Sequence, residues 1–380
     1  MKKKHQKHAK LARPNYGEFH RQEWAIIGTT CGRIQELSAK LIAALQQHYQ
    51  LAYVDADHAA GDEAEQIPVT GSTFVYTDKI NYHQYNVLEE LNTFHRRPLF
   101  QQVDGVLVNG NHFRAKRQIV VLDPKKEESL SRKLDRLTDV ALILTTETVD
   151  KPYDFLAEHL GEHRPFIMPL GDINGIIQWL RAQLTAARAP LYGLVLAGGK
   201  SQRMGEDKGL IDYHGLPQRA YMAQQLEGIC DQVFYSLRTE QEAPANGQII
   251  RDSISGLGPF GAIVSAFREH PDAAWLVVAC DLPMLDQEGL RALAQKRNPS
   301  KIATAFHNPA TGWPDPLVTI WEPRAYTILL QFLAQGYSCP RKVLINSPVE
   351  VIEADNPQIL LNANSPAERK EVLEVLAGKK

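Results

Sequence analysis

Cysteine is scarce: there are four in 380 residues, at positions 31, 230, 280 and 339, and nothing in their spacing suits a metal. This excludes a disulfide-built scaffold and fits a reducing compartment with buried or idle thiols. Long apolar runs are missing too, so no membrane-spanning segment is expected. An excess of one charge is missing: 42 Lys and Arg stand against 44 Asp and Glu, a formal net charge of −2. That argues against broad nucleic-acid binding and requires any anion site to be local. The N-terminus, MKKKHQKHAK, is basic, but no apolar segment follows it. It is not expected to be a secretory signal, and the cytoplasm is the expected location. As a tail over residues 1–19 it reads either as solvated, poorly ordered chain or as a weak anion-binding arm.

What is present is an ordinary globular composition, 44% hydrophobic and 23% charged, and a length that suits two domains. The organising stretch is Leu194–Lys208, LVLAGGKSQRMGEDK. An apolar strand, Tyr192–Ala197, runs into Gly198 and Gly199 and then into a loop carrying Lys200, Arg203 and Lys208. Glycines let the backbone approach a ligand and aim N–H groups at it. Arg and Lys then neutralise phosphate oxygens, one as a planar fork and the other as a point charge. By chemistry alone this is an anion-binding loop at the carboxyl end of a strand, where open α/β sheets take their ligands.

Further on, Ile249–Asp252 is a brief strand ending in a carboxylate, and Gly256–Ala262 is a glycine-proline turn before a helix. Trp275–Leu285, WLVVACDLPML, is a continuous apolar run ending at Asp281. Such a run is a central strand buried on both faces. A carboxylate at its tip suits Mg²⁺, which takes one or two carboxylates together with phosphates and waters.

These motifs resemble those of the molybdenum cofactor guanylyltransferases, within the nucleotidyltransferase superfamily. The pattern L-A-G-G-x-S-x-R-M-G-x-D-K fits Leu196–Lys208 at fixed spacing, and the resemblance runs over about residues 191–376. It implies nucleotide contacts at Leu196, Ala197, Gly198, Gly199, Lys208, Ser236, Asp252 and Asp281, with Arg203, Lys208 and Asp281 in catalysis and Asp281 on Mg²⁺. Asp252 also fits a plain turn cap. Ser236 stands where the family has asparagine, so one amide contact is replaced by a hydroxyl. Pro316 and the pair Asn362 and Asn364 match acceptor-side elements. The implied reaction moves GMP from GTP to molybdopterin, with a molybdoenzyme or its chaperone as recipient of the product. The related cytidylyltransferases carry Ala where Gly198 stands, which favours a purine here. A cytidylyl or sugar-phosphate nucleotidyltransferase and a non-catalytic nucleotide-binding regulator are the rival readings.

The first half alternates strands and helices, as a doubly wound parallel sheet does. Glu23–Ile27 is a strand, Gly28–Arg33 a glycine turn, and a helical pattern follows. A working P-loop needs Lys and then Ser/Thr after its last glycine. Here Gly32 is followed by Arg33 and Ile34, and Asn109 stands where a strand-end acid is expected. This half resembles the P-loop GTP-binding partner protein of molybdopterin-guanine dinucleotide synthesis, with its catalytic positions eroded. A scaffold role and a phosphate held by Arg33 both fit. The expected fold is therefore α/β in two domains. Residues 20–184 form a degenerate P-loop-type sheet domain, 185–190 a linker, and 191–380 a Rossmann-like, GT-A-like nucleotidyltransferase domain.

Overall fold

The computed structural model describes residues 10–56, 72–198, 207–238, 240–244, 247–363 and 365–378. The chain divides into two compact units, Tyr16–Ala187, and Arg188–Lys380 together with Met1–Asn15.

The unit Tyr16–Ala187 is built on six strands, β1 (Glu23–Ile27), β2 (Leu51–Val54), β5 (Gly105–Asn109), β6 (Arg117–Leu122), β7 (Val140–Thr145) and β8 (Phe166–Pro169). Every pairing among them is parallel, in the order β2-β5-β1-β6-β7-β8. β1 is buried along its whole length, and alternate residues enter different clusters: Trp24 and Ile26 one, Ala25 another, Ile27 a third. A separate antiparallel hairpin pairs β3 (Phe74–Asp78) with β4 (His83–Val87). Residues 16–19, within the span 1–19 expected as a tail, belong to the unit Tyr16–Ala187. Phe19 is 2% exposed and packs edge-on against Phe100 and Phe113. The cause is Glu23, whose buried carboxylate accepts the backbone N–H groups of Glu18, Phe19, His20 and Lys116. A buried carboxylate must find donors, and these four fold the entry segment around it.

The second unit holds a seven-stranded sheet in the order β11-β10-β9-β12-β14-β13-β15. Its strands are β9 (Leu191–Leu196), β10 (Gln232–Leu237), β11 (Gln248–Arg251), β12 (Ala274–Ala279), β13 (Ala303–Asn308), β14 (Trp313–Trp321) and β15 (Val349–Ile352). β9 to β12 pair in parallel, whereas β14 is antiparallel to both β12 and β13. The sheet is therefore mixed. β12 is buried at all its positions, with Trp275 and Val277 in one cluster and Ala274, Leu276 and Val278 in the other. This is the two-sided burial that its unbroken apolar run predicts.

Lys208–Leu210 is a single 3-10 turn, because the Asp207 side chain accepts the Gly209 N–H at 2.9 Å and caps it. β6 escapes sequence reading because a short apolar run has no periodicity to separate strand from helix.

In the second unit Arg297 grips Glu322 with two parallel bonds, Nε to Oε1 at 2.6 Å and Nη2 to Oε2 at 2.9 Å, and Glu322 is 1% exposed. Removing one member leaves a desolvated charge unpaired. Glu322→Ala should therefore destabilise this unit by about 3–5 kcal/mol, read by urea unfolding; a loss below about 1 kcal/mol would show the pair to be solvated instead.

Candidate functional site

Because β9, β10, β11 and β12 are parallel, their carboxyl ends lie along one edge of the sheet. β9 has β10 on one side and β12 on the other, which makes it the switch point where such sheets open a crevice. Leu196 closes β9 in register with Ser236 of β10 and Ala279 of β12. The Ala197 N–H donates to the Ser236 carbonyl at 3.1 Å, and Ser236 Oγ donates to Asp252 Oδ1 at 3.0 Å. Burial pushes the Asp252 carboxyl above its ordinary value, against the Ser236 bond and the Arg238 charge. The glycine-proline turn is strained backbone that needs glycine, with Gly256 at φ +84° and Gly258 at φ +56°, immediately before the helix Pro259–Glu269.

Asp281 follows β12. Its Oδ2 lies 3.5 Å from Lys208 Nζ, and both side chains are largely buried. Its Oδ1 is buried with no hydrogen-bond partner. Burial drives the Asp281 carboxyl upward, Lys208 pulls it down, and the charge of Asp315 adds to the rise. The Asp281 carbonyl accepts the Ala363 N–H at 2.8 Å, so the N-x-N stretch is held against this residue with Asn362 exposed beside it. Pro316 is buried on β14. Leu196, Ala197, Gly198, Lys208, Ser236, Asp252, Asp281 and Asn362 thus come to one end of one sheet. Gly199, Lys200, Arg203 and Asn364 lie outside the described residues.

Among the described residues, this end of the sheet carries Lys208 and two strand-end carboxylates, Asp252 and Asp281. The MobA-like NTP transferase domain matches residues 193–351, within this unit. A molybdenum cofactor guanylyltransferase of Pseudomonas entomophila is 31% identical over 182 residues, 46% of this chain and 93% of that protein. The chain belongs to the MobA-like NTP transferase family. A molybdenum cofactor biosynthesis bifunctional protein of Synechocystis sp. is 34% identical over 194 residues, 50% of this chain and 56% of that protein, so the chain spans little more than half of that relative. Among solved structures, molybdopterin-guanine dinucleotide biosynthesis protein A from Archaeoglobus fulgidus aligns at 20% identity with a TM-score of 0.43, over 49% of this chain and 99% of that one.

Two residues of the MobA-like domain escape sequence reading. Gln241 joins both ends of the signature loop: its Nε2 donates to the Ala197 carbonyl at 2.9 Å and to Asp207 Oδ2 at 3.1 Å, while its Oε1 accepts the Arg238 N–H at 3.0 Å. It sits in a polar stretch without pattern. Asp315 is 4% exposed on β14, and only the pairing of β12 with β14 relates it to Asp281. Its signal in the sequence is no more than an acid directly before Pro316-Leu317.

The glycine turn of the other unit lies outside the domain match. Gly28 has φ +92°, and a Cβ there would sit 2.4 Å from the Val121 carbonyl oxygen, so the turn presses directly on β6. Its polar groups are already engaged by Asp123, at the end of β6: Thr29 Oγ1 donates to Asp123 Oδ2 at 2.7 Å and Arg33 Nη1 at 3.1 Å. Asn109 Nδ2 donates to Asp55 Oδ1 at 2.8 Å, a bond that a carboxylate at that position could not make. Cys31 is exposed, with Sγ 3.3 Å from His112 Nε2.

Two titrations follow. Burial opposes ionisation of Asp123, but Thr29, the Lys125 N–H and Arg33 outweigh it and hold its carboxyl below the ordinary range. Its stabilising contribution is full above the unfolded carboxylate value of about 3.9 and is lost as pH falls through the lower folded value. Asp123→Asn should cost stability near neutral pH and converge with wild type in strong acid, as measured by urea unfolding across pH. Asp281 has the opposite sign: its carboxyl is raised, so ionised Asp281 costs stability at neutral pH and less as pH falls through the raised value. The stability difference between wild type and Asp281→Asn, measured in chelator by urea unfolding across pH, should move in favour of wild type as pH falls through the raised value; a difference that does not change with pH would show that burial does not oppose the Asp281 charge.

Proposed function

We propose that the MobA-like domain transfers GMP from GTP to molybdopterin and releases pyrophosphate, forming a guanine dinucleotide cofactor that passes to a molybdoenzyme or its chaperone. The observation that carries this reading is the meeting of Lys208 with Asp281 at the carboxyl end of β12, beside the glycine loop that ends β9. The names of the Pseudomonas and Synechocystis relatives support the pathway.

The terminal phosphate of molybdopterin attacks the α-phosphorus of GTP in line, a phosphorus–oxygen bond forms, and the bond to the β-phosphate breaks. The nucleophile is already an anion, so no general base is required. The obstacle is the approach of negative groups, which positioning and charge neutralisation relieve. Lys208 has three N–H donors, so it can keep Asp281 and still bind a phosphate oxygen. Arg203 is assigned to the same phosphates, and the Gly198–Gly199 backbone supplies further donors. Asp252 and Ser236 hold the nucleoside, Asp252 through a carboxylate that accepts paired N–H or O–H donors. Pro316, Asn362 and Asn364 are assigned to the acceptor side.

Mg²⁺ fits the donor set, because Asp281 Oδ1 is a buried anionic oxygen with no protein partner. Among the described residues no group of three or more His, Cys, Asp or Glu is arranged to hold a metal. The remaining ligands would then be phosphates and waters, as Mg²⁺ prefers. When bound, the ion would polarise the α-phosphate.

The preference for guanine rests on Gly198. A Cβ built there comes no nearer than 3.5 Å to Arg238, so the fold itself does not demand glycine. The constraint falls on the ligand. The unit Tyr16–Ala187 is read as a scaffold that does not hydrolyse nucleotide, since the groups of its glycine turn are spent on Asp123.

Incubation with GTP, Mg²⁺ and molybdopterin should release pyrophosphate. Asp281→Ala should lower the rate at least about a thousandfold while the protein stays folded. Tight GTP binding without pyrophosphate would instead mark a regulator. Gly198→Ala should fold normally and shift use from GTP toward CTP, as read by product analysis with each nucleotide. An unchanged preference would remove the argument for guanine.

A further inference from the structure

We infer that Gln241 is a positioning residue for the phosphates of the nucleotide: its side-chain amide holds the two ends of the signature loop at one spacing, so that the end of β9 and the turn bearing Lys208 meet the ligand already set. The inference rests on the proposed binding of GTP at this loop.

The amide is fully engaged, and the engagement is directional. Nε2 donates one N–H to the Ala197 carbonyl at 2.9 Å and the other to Asp207 Oδ2 at 3.1 Å, while Oε1 accepts the Arg238 N–H at 3.0 Å. Turned over, the amide would set its oxygen against a carbonyl and a carboxylate, and its N–H groups against another N–H, so one orientation is fixed. The two donated bonds reach partners 44 and 34 residues away in the chain. The turn in which Gln241 sits needs neither of them. It has its own bonds, the Gln241 N–H to the Arg238 carbonyl at 3.2 Å, and Arg251 Nη1 to the Arg238 and Gln241 carbonyls at 2.7 and 3.3 Å.

Each distant anchor bears on the loop. The Ala197 N–H donates to the Ser236 carbonyl at 3.1 Å and its carbonyl takes Gln241, so both backbone groups at the end of β9 are pinned. Asp207 uses its other oxygen, Oδ1, to cap the turn Lys208–Leu210 through the Gly209 N–H at 2.9 Å. Its carboxylate is thus held between Gln241 and that turn, which sets where Lys208 leaves the backbone. A loop whose ends are already held has less freedom to lose when a triphosphate binds. Glutamate has the same size but only accepts, and asparagine is one methylene shorter, so the task calls for glutamine.

The test is equilibrium binding of a fluorescent GTP analogue to the full chain, with Mg²⁺ and without acceptor. Wild type should bind it, and Gln241→Ala should bind about tenfold more weakly, the scale of one or two lost hydrogen bonds. In turnover the same variant should raise KM for GTP with kcat changed less than about threefold, because the tie serves ground and transition states alike. Equal binding by wild type and Gln241→Ala overturns the inference and leaves GTP binding at the loop intact, and so does a loss confined to kcat. If Gln241→Ala does not fold, Gln241→Glu keeps the shape and the Arg238 bond but sets an acceptor against two others. Its added charge is controlled by a cycle with Asp207→Asn. The exchanged pair, Gln241→Glu with Asp207→Asn, keeps the total charge and restores the contact with donor and acceptor reversed. Each single variant should bind weakly, and the exchanged pair more tightly than either. Additive losses overturn the inference. Failure of wild type to bind, or binding that Lys208→Ala leaves unchanged, overturns the GTP reading of the loop and this inference with it.

Discussion

Two charges out of water, Lys208 and Asp281, are the constraint on which the second unit depends. Neither position is comfortable alone. Asp281 sits at the tip of a strand buried on both faces, where its ionised form is disfavoured, and one of its oxygens has no partner. Lys208 offsets part of that cost through a contact of 3.5 Å. Such a pair is poor stabilising material, since an apolar replacement is often neutral or better. In the proposed function it is an unsatisfied site that a cation and a phosphate chain complete.

The rest of the sheet delivers residues to that pair. Four parallel strands end together, so Leu196, Ser236, Asp252 and Asp281 share an edge despite their separation in sequence. Gln241 ties the two ends of the signature loop, and the Ala363 N–H ties the N-x-N stretch to the Asp281 carbonyl. The antiparallel β14 carries Asp315, whose charge acts on Asp281. In the other unit, at a similar strand–glycine–helix layout, the Thr29 hydroxyl and Arg33 Nη1 both donate to Asp123.

Much of this was legible in the chain. The continuous run Trp275–Ala279 gave a buried central strand, and fixed-spacing glycines and cations gave the loop at the end of β9. What escaped depends on pairing. Asp315 gains meaning only once β14 is known to run antiparallel to β12, and no local pattern reports the partner of a strand. Gln241 acts through its side-chain amide across a polar loop, where composition carries no register. β6 was missed because its apolar run is too short to show a period, and with it went Asp123 and the reason that Arg33 is occupied.

The most direct test of the proposed phosphate and metal site is a structure of the full chain with GTP and Mg²⁺. The account predicts a metal ion bonded to the Asp281 carboxylate, with the phosphates against Lys208 and the loop that follows β9. A nucleotide held only in Tyr16–Ala187, or a metal away from Asp281, would contradict it.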